Sequence, residues 1–496
     1  MYKKPIALLL LAAMLTTASC GDSSDIGSDT TAGGEDTTEA PITEDGFVRH
    51  SVPAGTDLGG EPIRVRISNY SDAFLADVYA EEETGTRLND VIYRSMVNVE
   101  EELNVDLVYS YETFNYNEMK TYHSTILASI LAGDAPMDIM YDGEDLTQNQ
   151  MENPYFANLA EMKYIDLDKP WYNKTTIGFM PDGYAHYLTG MFAISNVKNT
   201  FAMFFNADLY ESLGKTEDLY ELVDSGKWTL DKLSEIINDT YTDLNGNTEA
   251  DAADRYGLTI GDGNKYGGFR SALGVRVFEK KGADFEFVFA NEHNTDAFDK
   301  MYKLLNENES VLKAQAKPAE TPDYHVGSGA GNYASKIFTS GRSLFTCALI
   351  TAAEVILPLM DFDYGMLPYP KYDETQESYA SQLQRPLNVL VPTTCAKMDE
   401  ASAVIEALAC QHYNYVLPEY CEVTLKVRYS PDDNMSRMFD IIGSTVQYDL
   451  ADAFYVALGN PGAKFSQGIR GDFDNWASKV ASIKESTLAK LEDIFE

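Results

Sequence analysis

Between Ile63 and Tyr141 an alternating or apolar run and a helical run follow one another twice, and a third apolar run closes the series. Ile63-Arg-Val-Arg-Ile67 alternates and runs into Ser68-Asn-Tyr-Ser71, as a strand leading into a loop does. Over Thr86–Asn104, Leu88, Ile92, Met96, Val99 and Leu103 recur every three or four residues, which predicts a helix with one apolar face. Val105–Tyr109 is a second strand. Tyr116–Ala132 is a second helix, with Met119, Ile126, Ile130 and Leu131 facing in and Gly133 as its stop. Met137–Tyr141 is a third strand. An order β-α-β-α-β implies a parallel sheet with right-handed crossovers, since a hairpin cannot join parallel neighbours.

Ligands of such open sheets lie beyond the carboxyl ends of the strands. Two of those ends are polar and aromatic here: Asn69-Tyr70-Ser71 and Tyr141-Asp142-Gly143-Glu144. Carboxylates accept hydrogen bonds from sugar hydroxyls, and Tyr rings stack on pyranose faces. That makes Asn69, Tyr70, Tyr141, Asp142 and Glu144 candidate ligand residues. Asp142 or Glu144 serves as well to cap the segment that follows.

A chain of 496 residues is too long for one such core and suggests two or three domains, or two lobes sharing a discontinuous chain. Met191–Tyr210 joins an apolar, β-prone run to a helix start at Asp208, and is expected to be the first crossing between two lobes. Further on, Thr229 is the expected cap of a helix with Leu230, Leu233, Ile236 and Ile237 inward, and Trp228 is expected to staple it. Arg255–Ile260 is a strand, followed by the glycine-rich Gly261–Arg270. Tyr266, Phe269 and Arg270 there would form the second lobe's ligand wall or an ordinary turn. Asp363–Lys371 is a strand stopped by prolines, and Tyr379–Arg385 precedes the apolar Leu387–Val391. Asp399–Leu417 is helical.

The sharpest local motif is Asp243-Leu-Asn245-Gly-Asn247-Thr-Glu249-Ala-Asp251-Ala-Ala-Asp254. Oxygen side chains alternate through a twelve-residue loop, as a Ca²⁺ site needs, and Asp243, Asn245, Asn247, Glu249, Asp251 and Asp254 are the candidate ligands. It resembles the calcium loops of dockerins and EF-hands, with Thr248 in place of the turn glycine and Asp254 in place of Glu. The expectation is a structural Ca²⁺ with no catalytic cofactor; an acidic solvated turn has the same composition.

The first residues are an export leader. Lys3 and Lys4 precede the apolar Ile6–Leu15, and Thr16-Thr-Ala-Ser19 leads into Cys20. Small residues before a Cys resemble the bacterial lipobox, although Thr17 stands where Leu is usual. Cys20 is therefore the expected site of lipidation (a palmitate-type anchor), holding the chain on the outer face of the cytoplasmic membrane. Residues 21–60 are rich in Asp, Glu, Thr, Ser and Gly and are expected to form a flexible acidic tether. A formal net charge of −40, from 78 acidic and 38 basic residues, repels phosphate backbones and disfavours nucleic acid. Cys347, Cys395, Cys410 and Cys421 show no metal-binding spacing.

Taken in order, several of these stretches resemble bacterial extracellular solute-binding proteins of family 1, the maltose-binding type that serves ABC importers. The pieces are the lipobox-like leader, Ile63–Ile67, Met137–Asp145, Phe205-Asn-Ala-Asp-Leu-Tyr210, Gly226-Lys-Trp-Thr-Leu-Asp231, Phe338-Thr-Ser-Gly-Arg-Ser-Leu-Phe345, Asp363–Lys371 and the Asp399–Leu417 helix. The resemblance implies an α/β, two-lobed periplasmic-binding-protein-like fold of type II, with discontinuous lobes joined by hinge crossings. Lobe 1 would span 61–200 plus 362–424, and lobe 2 would span 203–360 plus 425–496. The ligand cleft would draw on Asn69, Tyr70, Tyr141, Asp142 and Glu144, on Ser195 and Asn196 at the crossing, on Tyr266, Phe269 and Arg270, and on Arg385. The partners it implies are a carbohydrate, most simply an oligosaccharide, and ABC permease subunits, with the chain a monomer. This chain has Cys347-Ala-Leu where the family commonly has a cleft Trp, so stacking comes from elsewhere or the ligand is not a sugar. The expected role is capture by hinge closure, with no catalysis. Two alternatives are a surface glycan-binding lipoprotein without a transporter and a surface glycoside hydrolase using paired carboxylates. No GxSxG, HExxH or GxxxxGK[ST] motif occurs in the sequence.

Overall fold

The structure is a computed structural model and describes residues 46–70, 74–115, 117–143, 155–177, 183–261, 265–282, 284–314, 332–355, 360–426 and 434–495. The leader with Cys20, the tether up to residue 45, and Glu144 lie outside the described residues.

Two large sheets organise the chain. The first has the order β11-β3-β1-β2, from β1 (Glu61–Tyr70), β2 (Val105–Phe114), β3 (Ile139–Gly143) and β11 (Leu387–Leu390). β1 pairs parallel with both β2 and β3, as the alternation demands, and β11 adds antiparallel to β3. The crossovers are α1 (Arg87–Leu103) and α2 (Met119–Ala132). Helix α1 buries Ile92, Met96, Val99 and Leu103, and α2 ends on Gly133 at φ 76°, a left-handed cap. Leu131, expected inside, is 69% exposed: it lies beside Ile130 on the helix and points away from the sheet.

The second sheet has the order β10-β4-β9-β5-β8, from β4 (Phe201–Asn206), β5 (Tyr256–Gly261), β8 (Val311–Ala314), β9 (Ser343–Leu349) and β10 (Tyr364–Leu367). A separate hairpin pairs β6 (Phe278–Lys281) with β7 (Asp284–Phe287). The Asp363–Lys371 segment, expected in lobe 1, pairs antiparallel with β4 and belongs here. Its prolines and turns carry no address; its buried face fits Phe204 and Phe205.

The Met191–Tyr210 stretch divides between the two cores. Phe192 and Ala193 pack with the first sheet, whereas Ile194, Val197 and Phe201–Phe205 pack with the second. After one turn of helix, α3 (Ser195–Lys198), the chain enters β4, all six residues of which are buried. Asn206 then caps α4 (Ala207–Ser212) by accepting from Leu209 N. Thr229 caps α5 (Leu230–Ile237) by accepting from Lys232 N. Trp228 is fully buried and donates its indole N–H to Pro368 O at 2.8 Å, which staples α5 to the β10 exit.

The glycine-rich Gly261–Arg270, expected to be a loop, is helical from Lys265 onward. The structure places α6 (Lys265–Ala272) there, with Tyr266, Phe269 and Arg270 buried along it. Gly267 and Gly268 permit close approach instead of a turn: a Cβ on Gly267 would lie 2.9 Å from Gln382 Oε1, and one on Gly268 would lie 3.0 Å from the Tyr369 ring.

A second crossing runs through residues 381–387, and a third follows α7 (Met398–Gln411). That helix continues through π-helical His412–Val416, α-helical Leu417–Tyr420 and π-helical Cys421–Lys426. Leu408, Ala409 and Cys410 belong to the first core, and Val416, Leu417 and Tyr420 to the second.

The far end of the expected tether is packed on the first lobe. Val52 is buried, Ser51 N donates to the buried Glu406 carboxylate, and Val48 exchanges hydrogen bonds with the Asn414 amide. Val48 and Val52 supply the apolar grip that composition averages hide. The cysteines Cys347, Cys395, Cys410 and Cys421 are free and buried. Burial pushes the Cys347 thiol up to about 12. Among the described residues no helix is long and apolar enough to cross a membrane.

Candidate functional site

Three extended stretches meet between the sheets. Phe201 N donates to Gln382 O at 3.0 Å, Gln384 N to Asn199 O at 3.0 Å, and Thr200 bridges Leu383. Ser381 N donates to Thr445 O at 2.9 Å and Gln447 N to Ser381 O at 3.0 Å, which adds a third stretch after α8 (Asn434–Ser444). These backbones form the floor of a cavity of about 430 Å³, within the usual range of roughly 300–1,000 Å³ for small-molecule sites. One side is Tyr70, at the carboxyl end of β1. The other is α6, α9 (Leu450–Ala453) and α10 (Ala463–Arg470), which present Tyr266, Asp452 and Gln467. Gln382, Gln384 and Arg385 line it from the second crossing.

The lobe 2 wall is held by a buried charge cluster. Arg270 pairs with Asp449 at 3.3 Å and with Asp452, and its Nη1 donates to Val275 O at 3.2 Å. Asp449 also accepts from Val277 N, and Arg276 donates to Gln447 Oε1. Burial pushes the Asp449 carboxyl up, against the pull of Arg270. A charge network this dry survives because each member is paired, and it ties α9 to α6 beside the cavity.

Of the residues expected from the sequence, Tyr70, Tyr266, Arg270 and Arg385 meet at this cavity. The others that the structure describes do not. Asn69 is 1% exposed; its amide donates to Thr113 Oγ1, and its oxygen accepts from Phe74 N and Leu75 N. Tyr141 is buried between β1 and β11, and that burial pushes its hydroxyl well up. Asp142 is 1% exposed, opposite Asn388 of β11 and 3.1 Å from His123 Nε2 of α2. Phe269 is in the core, edge-on to Tyr369 at 4.6 Å. Ser195 is fully buried and donates its N–H to Asp77, which also pairs with Lys198 at 2.9 Å. Asn196 is a clasp between crossings: its amide donates to Gly190 O and Leu387 O, and its oxygen accepts from Leu387 N at 2.7 Å. It also lines a second cavity of about 300 Å³ with Lys169 and Thr189.

The sequence reading missed Gln382, Gln384 and Phe201, one or a few residues from those it chose, and the whole Gln447–Arg470 wall. A signal existed in the second crossing, where Gln382-Leu-Gln384-Arg385 interposes polar residues before an apolar strand. The lobe 2 wall left none, because its residues are ordinary surface types in sequence.

The acidic loop closes on itself. Asp243 accepts from Gly246 N and Thr248 N, the amides of Asn245 and Asn247 both donate to Asp251, and Asp254 is fully buried, accepting from Leu244 N and Asp251 N. Two Asn nitrogens facing one carboxylate oppose a cation there. Among the described residues no three His, Cys, Asp or Glu side chains gather to hold a metal ion.

No family model matches the chain, and no curated protein matches it. Solved structures do. The chain is similar to the sugar-binding protein MalE from Xanthomonas citri at TM-score 0.56 and 13% identity, covering 88% of this chain and 99% of that one. A cyclic alpha-maltosyl-1,6-maltose binding protein from Arthrobacter globiformis matches at TM-score 0.54 and 13% identity, over 87% and 100% of the two chains. A family 1 extracellular solute-binding protein from Bifidobacterium longum subsp. infantis matches at 0.52 and 15%, over 88% and 100%. The α/β architecture is therefore the two-lobed fold of the family 1 solute-binding proteins.

Proposed function

We propose that this chain captures an extracellular carbohydrate by closing two lobes on it, and delivers it to an ABC permease from a lipid anchor on Cys20. One observation carries the reading: the 430 Å³ cavity sits on the crossing stretches and takes side chains from both lobes, Tyr70 facing Tyr266, Asp452 and Gln467. A ligand bound there touches both lobes only when they are near each other, so its contacts favour closure. Three crossings, near residues 200, 384 and 414, are where such closure bends the chain. The lining suits hydroxyl-rich solutes: Gln382, Gln384, Gln467 and Asn460 offer both donors and acceptors, with Tyr hydroxyls beside them. The structural neighbours named above as sugar-binding and maltose-binding proteins support carbohydrate as the class.

Capture is favoured over hydrolysis by the carboxylates. Asp452 is the one acid among the described lining residues, and it is committed to Arg270. A glycoside hydrolase needs two, spaced about the scissile bond. Calorimetry against a panel of oligosaccharides, with the mixture assayed for cleavage, tests the reading. Stoichiometric binding with intact sugar is expected; turnover would replace capture by hydrolysis.

A further inference from the structure

We infer that the captured carbohydrate is acidic, and that Arg385 reads its carboxylate. The inference rests on the proposed sugar capture and names the class of sugar.

Three arginines, Arg270, Arg385 and Arg470, line the cavity against one carboxylate, Asp452. Arg270 is taken up by Asp449 and Asp452, and Arg470 pairs with Asp472 beside it. Arg385 has no ion-pair or hydrogen-bond partner among the described residues. In a chain of net charge −40, where carboxylates outnumber cations about two to one, an arginine facing a cleft without an acid is out of step with its surroundings. A ligand carboxylate supplies the missing partner.

The geometry prepares the guanidinium for that role. Its carbon lies 5.0 Å from the centre of the Tyr70 ring, while Phe114 meets the same ring edge-on at 5.9 Å. A cation–π contact engages the charge without using an N–H group, and leaves the fork that grips a carboxylate in two parallel bonds. The contact also covers a face of Tyr70 that would otherwise take a pyranose. Recognition at this end is therefore by charge, with ring stacking left to the half-buried Tyr448 or Tyr455 across the cavity. The backbone agrees: Arg385 sits at φ 55°, a left-handed conformation that side chains other than Gly, Asn and Asp rarely adopt. A residue held there against its preference is tied to what its side chain does.

Residues flanking Arg385 supply the hydroxyl contacts. Gln384 and Gln382 precede it on the same extended stretch, and Gln382 Oε1 is buried without a hydrogen-bond partner. A uronic-acid oligosaccharide matches this set: carboxylate on Arg385, hydroxyls on the glutamines. Neutral maltodextrins leave Arg385 unpaired.

The test uses the full chain and titrates it by calorimetry with trisaccharides of galacturonate, glucuronate and mannuronate, with their methyl esters, and with maltotriose. At least one acid trisaccharide is expected to bind, and its neutral ester to bind about tenfold more weakly or worse. Arg385→Gln should lose about ten- to hundredfold for the acid and little for the ester, with Arg385→Lys between, since an ammonium keeps the charge without the fork. Thermal melts of both variants check folding. If an ester or maltotriose binds as tightly as any acid, or Arg385→Gln stays within about threefold of the parent, the acidic class falls while sugar capture stands. If no saccharide of either kind binds, sugar capture itself falls and the inference goes with it.

Discussion

The first sheet has two polar, aromatic strand ends, and they meet opposite fates. At the end of β1, Tyr70 is half-buried, stacks under Arg385 and lines the cavity. At the end of β3, Tyr141 and Asp142 are sealed, roofed by β11 on one side and α2 with His123 on another. Both carry the same sequence signature, a Tyr beside polar residues after an apolar run. What separates them is neighbours brought from far along the chain. A strand end flanked by pairing partners becomes structure; one facing the crossings becomes a wall of the site. Sealed residues should therefore govern stability and open ones binding.

Arg270 tests the boundary hardest, because it lines the cavity and is nevertheless 2% exposed. Arg270→Met leaves Asp449 and Asp452 without their cation and should cost about 3–5 kcal/mol of unfolding free energy in urea titration. A loss below about 1 kcal/mol would place Arg270 on the open side of the comparison.

The dry class extends along the crossing helix to His412, 2% exposed, where burial pushes the imidazole down to about 4. The unfolded chain takes up this proton near pH 6.5, whereas the folded chain resists until about 4. The contribution is thus complete above about pH 6.5 and is lost as pH falls toward 4, some 3 kcal/mol in all. His412→Leu should flatten the stability profile over that window by about this amount. An unchanged slope would show that His412 titrates normally in the fold.

Tyr70→Ala should do the reverse. Stability should move by less than about 1 kcal/mol, since the ring is only half-buried, while calorimetric affinity for the captured sugar falls about tenfold as Arg385 loses its support. Asp142→Asn belongs to the opposite class, and a larger effect on affinity from it than from Tyr70→Ala would overturn the contrast between the two strand ends.

Much of the frame was legible. The alternation from Ile63 to Tyr141 implied a parallel sheet because each strand's next parallel neighbour must be reached over a helix. Thr229 and Gly133 announced a cap and a stop because those roles are fulfilled within a few residues, whereas the bond that Trp228 makes reaches Pro368, far along the chain. The stretch Met191–Tyr210 divides between the two cores, and its residue at the cavity is Phe201, whereas Ser195 and Asn196 brace the stretch from within.

By itself, then, the sequence determined what depends on near neighbours: the helix faces, their ends and the parallel order of the first three strands. The tertiary structure decided what depends on distant ones. β11 had to arrive to dry out Asp142, and β10 had to choose the second sheet by fit to Phe204 and Phe205. Gly267 needed Gln382 against it before a glycine-rich stretch could be a close-packed helix in place of a loop. Periodicity and capping act over one or two turns, whereas burial is settled by whichever surfaces pack, and only packing left Arg385 over Tyr70 at the edge of the cavity.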